Sequence, residues 1–264
     1  MRPSRIKAKL NRGEPALVTS LQAIDPSYFE LASLMGFDGI WLDLEHHACS
    51  LETAAGLMRA ARVGVADMML RPAKGEFMRL GRMLECGAQG IMYPRCSTAD
   101  EARELVAAAK FAPLGRRGLD SGNADAPYCS LPLDRYVREA NEQTFLVVQL
   151  EDRDAIANAR EIAEVEGVDV LFFGPGDFSV LSGIPGQMSD HPLVDEAIAA
   201  IAAAASAAGK QWGMPVGSPD RAKELLDMGS RFLAYGADLL WIKQGLEQTR
   251  EQFGPLGFTF DGEF

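Results

Sequence analysis

The chain has 264 residues, more than one ordinary domain but within the range of a single α/β barrel. Hydrophobic residues make up 47%, enough for a sizeable core, and a formal net charge of -11 leaves no basic stripe to neutralise nucleic-acid phosphates. No apolar run is long enough to span a bilayer, and the basic opening MRPSRIKAKLNRGE lacks the apolar segment of a signal peptide, so no membrane partner and a cytoplasmic location are expected.

In chain order, short apolar runs alternate with segments of helical spacing. Strands are predicted at 16–20, 39–43, 67–71, 90–94, 145–149, 170–173, 211–215 and 232–235. Helices are predicted at 26–35, 50–62, 75–85, 98–109, 154–164, 192–208, 218–228 and 237–252. Eight of each is the count of a closed (β/α)8 TIM barrel, here one domain over 1–264; a doubly wound open sheet would usually need fewer units. The punctuation agrees. Thr98 with Glu101 makes a capping box, and Ser218 before Pro219 reads as an N-cap followed by the first helical residue. Gly36, Gly64 and Gly229 fall just past helix ends, where a left-handed residue is wanted. The longest irregular piece, 112–133, is rich in Gly and Pro and is expected to be a lid or a subunit contact.

In a barrel enzyme the chemistry sits at the C-terminal ends of the strands, so the strand ends become a test. Strand two ends in Asp43-Leu44-Glu45-His46-His47, strand three in Arg71-Pro72, and strand five in Gln149-Leu150-Glu151. Strand six runs into Gly174-Pro175-Gly176-Asp177. Glu151 and Asp177 follow neighbouring strands, and two converging carboxylates repel unless a cation lies between them. Each could instead cap a following helix. The glycines before Asp177 bring bare backbone to the rim, where the amides of Gly176 and Asp177 could receive an anion; a plain turn is the bland alternative. Arg71, held extended by Pro72, could bind a carboxylate or an enolate oxygen, or could close a rim salt bridge to Glu45 or Asp43. His46 is a candidate proton carrier beside carboxylates, whereas His47 and His191 are read as structural.

A Schiff-base aldolase needs a strand-end lysine, and none of the seven lysines lies in a predicted strand; Lys74 comes nearest. A metal must then serve as electron sink. The cysteines Cys49, Cys86, Cys96 and Cys129 form no CxxC pair, so they are read as buried reduced thiols rather than a zinc site.

With these residues assembled, the chain resembles the HpcH/HpaI aldolase family of class II pyruvate aldolases over nearly its whole length. The likeness is carried by GFDGIWLDLEHH (36–47), LRP (70–72), MLECGAQGIMYPRCSTADEARELVAAAKFAPLGRRG (83–118), VVQLED (147–152) and VDVLFFGPGDFSVLSGIPGQMSDHP (168–192). The resemblance implies a barrel of the phosphoenolpyruvate/pyruvate type. It implies Glu151 and Asp177 as ligands of Mg²⁺, Mn²⁺ or Co²⁺, with Gln149 at the metal or substrate. It implies a pyruvate carboxylate on the amides around Gly176 and Asp177, Arg71 at the keto or enolate oxygen, and His46 paired with Asp43 for proton transfer. It also implies a homo-hexamer, a trimer of dimers exchanging the C-terminal helix at 237–252, with the tail to 264 in the contact. Two departures bear on the acceptor. Glu85 stands where relatives commonly have an aspartate that reaches a neighbouring subunit's site, and RGLDSGNADAPYCS (117–130) differs from better-known relatives.

The expected reaction is reversible aldol addition of pyruvate, or a close 2-oxo acid such as hydroxypyruvate, to an aldehyde through a metal-stabilised enolate, with a metal-bound water or the His46–Asp43 pair removing the proton. No organic cofactor is expected. One rival is a citramalyl- or malyl-CoA lyase, which would need a basic site for the adenosine phosphates that this acidic chain does not display. The other is a non-catalytic oxo-acid-binding barrel, against which Glu151, Asp177 and Arg71 argue.

Overall fold

The computed structural model describes residues 1–262. Eight parallel strands close in sequence order, β1 (Ala16–Ser20), β2 (Gly39–Asp43), β3 (Asp67–Arg71), β4 (Gly90–Tyr93), β5 (Phe145–Leu150), β6 (Val170–Phe173), β7 (Gln211–Val216) and β8 (Phe232–Ala237), with β8 pairing back onto β1. The (β/α)8 barrel expected from the sequence is thus the fold. VLFF is apolar throughout, and FLVVQL is so apart from Gln149, because a parallel strand in a barrel is buried on both faces.

The helices are α1 (Arg5–Asn11), α2 (Pro26–Leu34), α3 (Leu51–Ala61), α4 (Phe77–Glu85), α5 (Ala99–Ala109), α6 (Leu133–Gln143), α7 (Arg153–Ala157), α8 (Ala159–Ala163), α9 (Pro175–Leu181), α10 (Pro192–Ala208), α11 (Pro219–Asp227) and α12 (Asp238–Phe253). Three of these lie outside the predicted elements: α1, α6 and α9. The segment expected as one helix at 154–164 breaks at Asn158, whose backbone (φ -93°, ψ 5°) separates α7 from α8. Ser218 caps α11 by accepting from Arg221 N–H, with Pro219 in the first turn. Thr98 caps α5 likewise, but the Glu101 carboxylate reaches the N–H of Ser97 at 2.8 Å, one residue earlier than the capping box expects.

Gly36 and Gly229 have the left-handed φ expected of them, 87° and 95°. Gly64 is needed for a different reason: a Cβ there would stand 2.3 Å from the Ser33 backbone, so the glycine permits a close crossing. The cysteine expectation also needs correction. Cys96 is buried, Cys49 and Cys86 are half-buried, and Cys129 is exposed on the 112–133 segment.

Barrel-interior side chains from β1, β3, β4, β5, β6 and β8 pack as one cluster that includes Val18, Met69, Met92, Val147, Phe172 and Phe232. Beneath them α1 plugs the N-terminal end with Ile6 and Leu10, which are i,i+4 neighbours on one helix face. The plug is fastened by charge. Asp67 accepts from Ser4 Oγ (2.6 Å) and Ile6 N–H (2.8 Å); Asp38 pairs with Arg5 and Lys9; Lys7 pairs with Asp169. Among the described residues no helix is long and apolar enough to cross a membrane.

Candidate active site at the C-terminal mouth

The closed end leaves the other end, where the strands finish, as the open mouth. Strand pairing fixes what meets there. Asp43 and Arg71 are register partners on β2 and β3, while Gln149 and Leu150 on β5 face Phe172 and Phe173 on β6. The mouth therefore gathers Asp43, Arg71, Gln149, Glu151 and Asp177.

Asp43 and Arg71 form a two-pronged pair, Nε to Oδ1 at 2.9 Å and Nη2 to Oδ2 at 2.6 Å. The rim salt bridge considered for Arg71 is thus real, and it is bidentate on Asp43, with Glu45 Oε2 a further 3.4 Å contact. Nη1 still points to Gln149 Oε1 at 3.3 Å, and the guanidinium lies 4.7 Å over the Trp41 ring. Burial alone would raise the Asp43 pKa, but the Arg71 guanidinium and the Glu45 N–H outweigh it and hold the carboxyl below its usual range. Burial would lower the Arg71 pKa, and Asp43 outweighs that in turn, so the arginine stays charged.

Glu151 is only 3% exposed. It does not cap the following helix: Asp152 takes that task, accepting from Ala155 N–H at 2.6 Å. The Glu151 carboxylate instead accepts from Arg95 N–H (2.9 Å) and Gln149 Nε2 (3.2 Å). Burial pushes this carboxyl up, the Arg95 N–H pulls it down, and the charge of Asp177 pushes it up again, leaving it at about 7. Gly174 explains how the carboxylate fits. A Cβ at that position would lie 2.1 Å from Glu151 Oε1, so only glycine lets the two strand ends close around it.

Asp177 lies inside the first turn of α9, a helix opened by Gly174 and Pro175. Phe178 N–H closes that turn onto Gly174 C=O, which leaves the Gly176 and Asp177 amides without an intrahelical partner. Among the described residues, no three His, Cys, Asp or Glu side chains converge as a metal-binding group. A cation at this mouth would therefore take the Glu151–Asp177 pair and fill its other positions with substrate and water oxygens. Mg²⁺ and Mn²⁺ favour that mixture, and a cation there would relieve the repulsion by which the Asp177 charge helps to push the Glu151 carboxyl up.

His46 is placed otherwise than expected. His47 Nε2, not His46, is the one near Asp43, at 3.8 Å, while His46 Nε2 lies 3.6 Å from Glu45 and is 56% exposed. His191 caps α10 through Nδ1, a structural role. Glu85 ends α4 on the side of the barrel where β4 begins, away from the mouth of its own chain; its neighbours are Arg117, Asp120 and Asp125, and burial raises its pKa. Lys74 is spent on Glu101 and on the Arg95 carbonyl.

Arg95 is a mouth residue that the strand-end reading passed over. It follows Pro94 directly after β4, so the same test applied to strand four would have found it. Its φ is 47°, a left-handed backbone uncommon for a side-chain-bearing residue. From there its N–H holds Glu151, its carbonyl holds Lys74, and Nη2 reaches across β3 to Glu45 Oε1 at 2.7 Å.

The mouth of this (β/α)8 barrel sets the buried Glu151 and the half-buried Asp177 beside a braced arginine, and its relatives make it an enzyme of the carbon–carbon lyase class. The chain belongs to the HpcH/HpaI aldolase/citrate lyase family, whose family model matches residues 19–243. It is 35% identical to a hydroxypyruvate/pyruvate aldolase of Delftia acidovorans, over 96% of this chain and 97% of that one. It is 33% identical to a 4-hydroxy-2-oxo-heptane-1,7-dioate aldolase of Salmonella arizonae, over 94% of each. Among solved structures, an HpcH/HpaI aldolase from Desulfitobacterium hafniense superposes with a TM-score of 0.86 at 28% identity, over 93% of this chain and 96% of that one.

Proposed function

We propose that the enzyme catalyses reversible aldol addition of pyruvate, or a close 2-oxo acid such as hydroxypyruvate, to an aldehyde, with Glu151 and Asp177 holding a divalent cation. The observation that carries this reading is Glu151. It is buried, released from helix capping by Asp152, packed against Gly174 where no side chain fits, and set beside a second carboxylate. When bound, the cation supplies Lewis acidity to the carboxylate and keto oxygens of the 2-oxo acid, which acidifies the neighbouring C–H.

The chain's own groups do the rest. The Gly176 and Asp177 amides receive the substrate carboxylate. Arg71, immobilised by Asp43, directs its remaining donor edge at the keto oxygen and holds the negative charge that grows there as the C3 proton leaves. Gln149 fixes both neighbours, accepting from Arg71 and donating to Glu151. His46, exposed at the mouth beside Glu45, receives the C3 proton through water. The C3 carbon then forms the new bond to the aldehyde carbon, and the aldehyde oxygen takes a proton to become the 4-hydroxyl. Cleavage reverses each step.

Product formation from pyruvate and glycolaldehyde tests this. Excess EDTA should abolish it, and Mg²⁺, Mn²⁺ or Co²⁺ should restore it; full turnover in excess EDTA overturns the metal assignment. In this reading the enzyme works in the cytoplasm as a homo-hexamer built on α12. Support for the assembly is the exposure of Leu239, Leu240, Trp241 and Ile242 all round the first turn of that helix, with Leu246 beyond, more apolar surface than a helix leaves in water. Sedimentation should give six copies, and a stable monomer would overturn the assembly.

A further inference from the structure

The two halves of the mouth differ in charge. On the β5–β6 side stand Glu151 and Asp177, which in the reading above are matched by the cation. On the β2–β4 side stand two guanidinium groups, Arg71 and Arg95, with His46 beside them. Arg71 is answered by Asp43 through two hydrogen bonds. Arg95 has a share of one carboxylate: Glu45 contacts Arg95 at 2.7 Å, Arg71 at 3.4 Å and His46 at 3.6 Å.

Arg95 is also under-used. Nη2 donates to Glu45, Nε is buried without a hydrogen-bond partner, and Nη1 has none either among the described residues. A guanidinium carries five N–H donors in a planar fork suited to carboxylates, so most of its capacity is unspent. The side chain is 43% exposed, which leaves it within reach of a molecule entering the mouth. Its position is imposed by the fold: a left-handed φ and two backbone hydrogen bonds fix the residue to Glu151 and Lys74. A flexible surface arginine would have no such anchors.

We propose that Arg95 selects the second substrate, presenting its guanidinium on the β2–β4 side of the mouth so that an aldehyde carrying its own carboxylate is preferred over a neutral one. This rests on the aldolase reading above and names the acceptor class for it. The oxo acid occupies the β5–β6 side, its aldehyde partner approaches from the opposite wall, and the far carboxylate of that partner pairs with the unspent edge of Arg95 as a charge-assisted hydrogen bond.

The test is kcat/KM with saturating pyruvate for succinic semialdehyde and for butanal, which share a chain length and differ in the charged end. Wild type, Arg95→Gln and Arg95→Lys are compared. In Arg95→Gln, Glu45 loses its partner and activity falls with both aldehydes, so the readout is the ratio. The preference for succinic semialdehyde should drop about tenfold to a hundredfold, chiefly through its KM, and Arg95→Lys should recover part of it. A purely structural role would lower both activities and leave the ratio unmoved; that result, or a wild type that prefers butanal, overturns the proposal while leaving the aldolase reading intact. A wild type that yields product with neither aldehyde nor glycolaldehyde overturns both.

Discussion

The two ends of the barrel both bury carboxylates, yet they surround them differently. At the plugged end, Asp67 receives Ser4 Oγ and Ile6 N–H, Asp38 receives Arg5, Lys9 and Leu17 N–H, and Asp169 receives Lys7 and Leu146 N–H. Asp38 and Asp169 are answered by cations of α1 and by neighbouring strand amides, whereas Asp67 is answered on Oδ2 alone; its Oδ1 is buried without a partner, and burial raises its pKa. At the open end, Glu151 receives one amide N–H and a weak side-chain contact, while Asp177 adds repulsion. Burial of an acid is therefore no sign of a site. What distinguishes the mouth is the second acid: Asp177 adds its charge to a carboxyl already pushed up by burial, a repulsion that a cation and a substrate would relieve.

That contrast can be broken at either end. The largest effect is expected from Glu151→Gln, which keeps the shape and removes the charge. Turnover should fall at least about a thousandfold while the melting temperature holds or rises; activity within tenfold of wild type would erase the distinction between the ends. Asp67→Leu should do the reverse. It strands the Ser4 hydroxyl and Ile6 amide, so unfolding free energy should drop by about 3 kcal/mol in denaturant titration, with kcat nearly unchanged. Gly174→Ala sharpens the mouth itself. The added methyl displaces Glu151, and Mn²⁺ affinity by calorimetry should weaken about tenfold to a hundredfold; unchanged affinity would mean that Glu151 is not a ligand in the position seen.

The smallest effect belongs to the plugged end. Lys110 donates to the carbonyls of Asn141 and Thr144, and burial pushes its ammonium down to about 7. The unfolded chain keeps an ordinary lysine, near 10.5. Between these values the unfolded state binds more protons, so on this account stability rises with pH through that window, and the full cost of burying the charge is felt below pH 7. Relative to Lys110→Met, wild type should gain on the order of 1 kcal/mol between pH 7 and 9. A flat difference would mean that the ammonium stays charged in its carbonyl cradle.

The strands were legible because burial on two faces writes an unbroken apolar run. The helices that escaped were those without such a record. α1 shows only Ile6 and Leu10 to the core; α6 buries only Tyr136 and Ala140; α9 opens with Pro175 and Gly176, which read as a turn. Strand ends placed Asp43, Arg71, Gln149, Glu151 and Asp177 together because chain order and parallel pairing fix them. Which of two adjacent histidines turns to Asp43 is decided by loop conformation, and that is not written in the order His46-His47. Arg95 depends on a left-handed φ that only the folded rim imposes.

The plug has a bearing on how the molecule comes into being. Helix α1 precedes the barrel, but its fasteners do not: Ser4 waits for Asp67, 63 residues later, and Lys7 for Asp169, 162 residues later. The last strand must also find the first. Contacts of such sequence separation form late, because a long loop must close before they contribute. The fasteners of α1 are therefore expected to form late, with the β8–β1 seam later still, so that until the chain is complete both the floor and the wall stand open to a chaperone or protease.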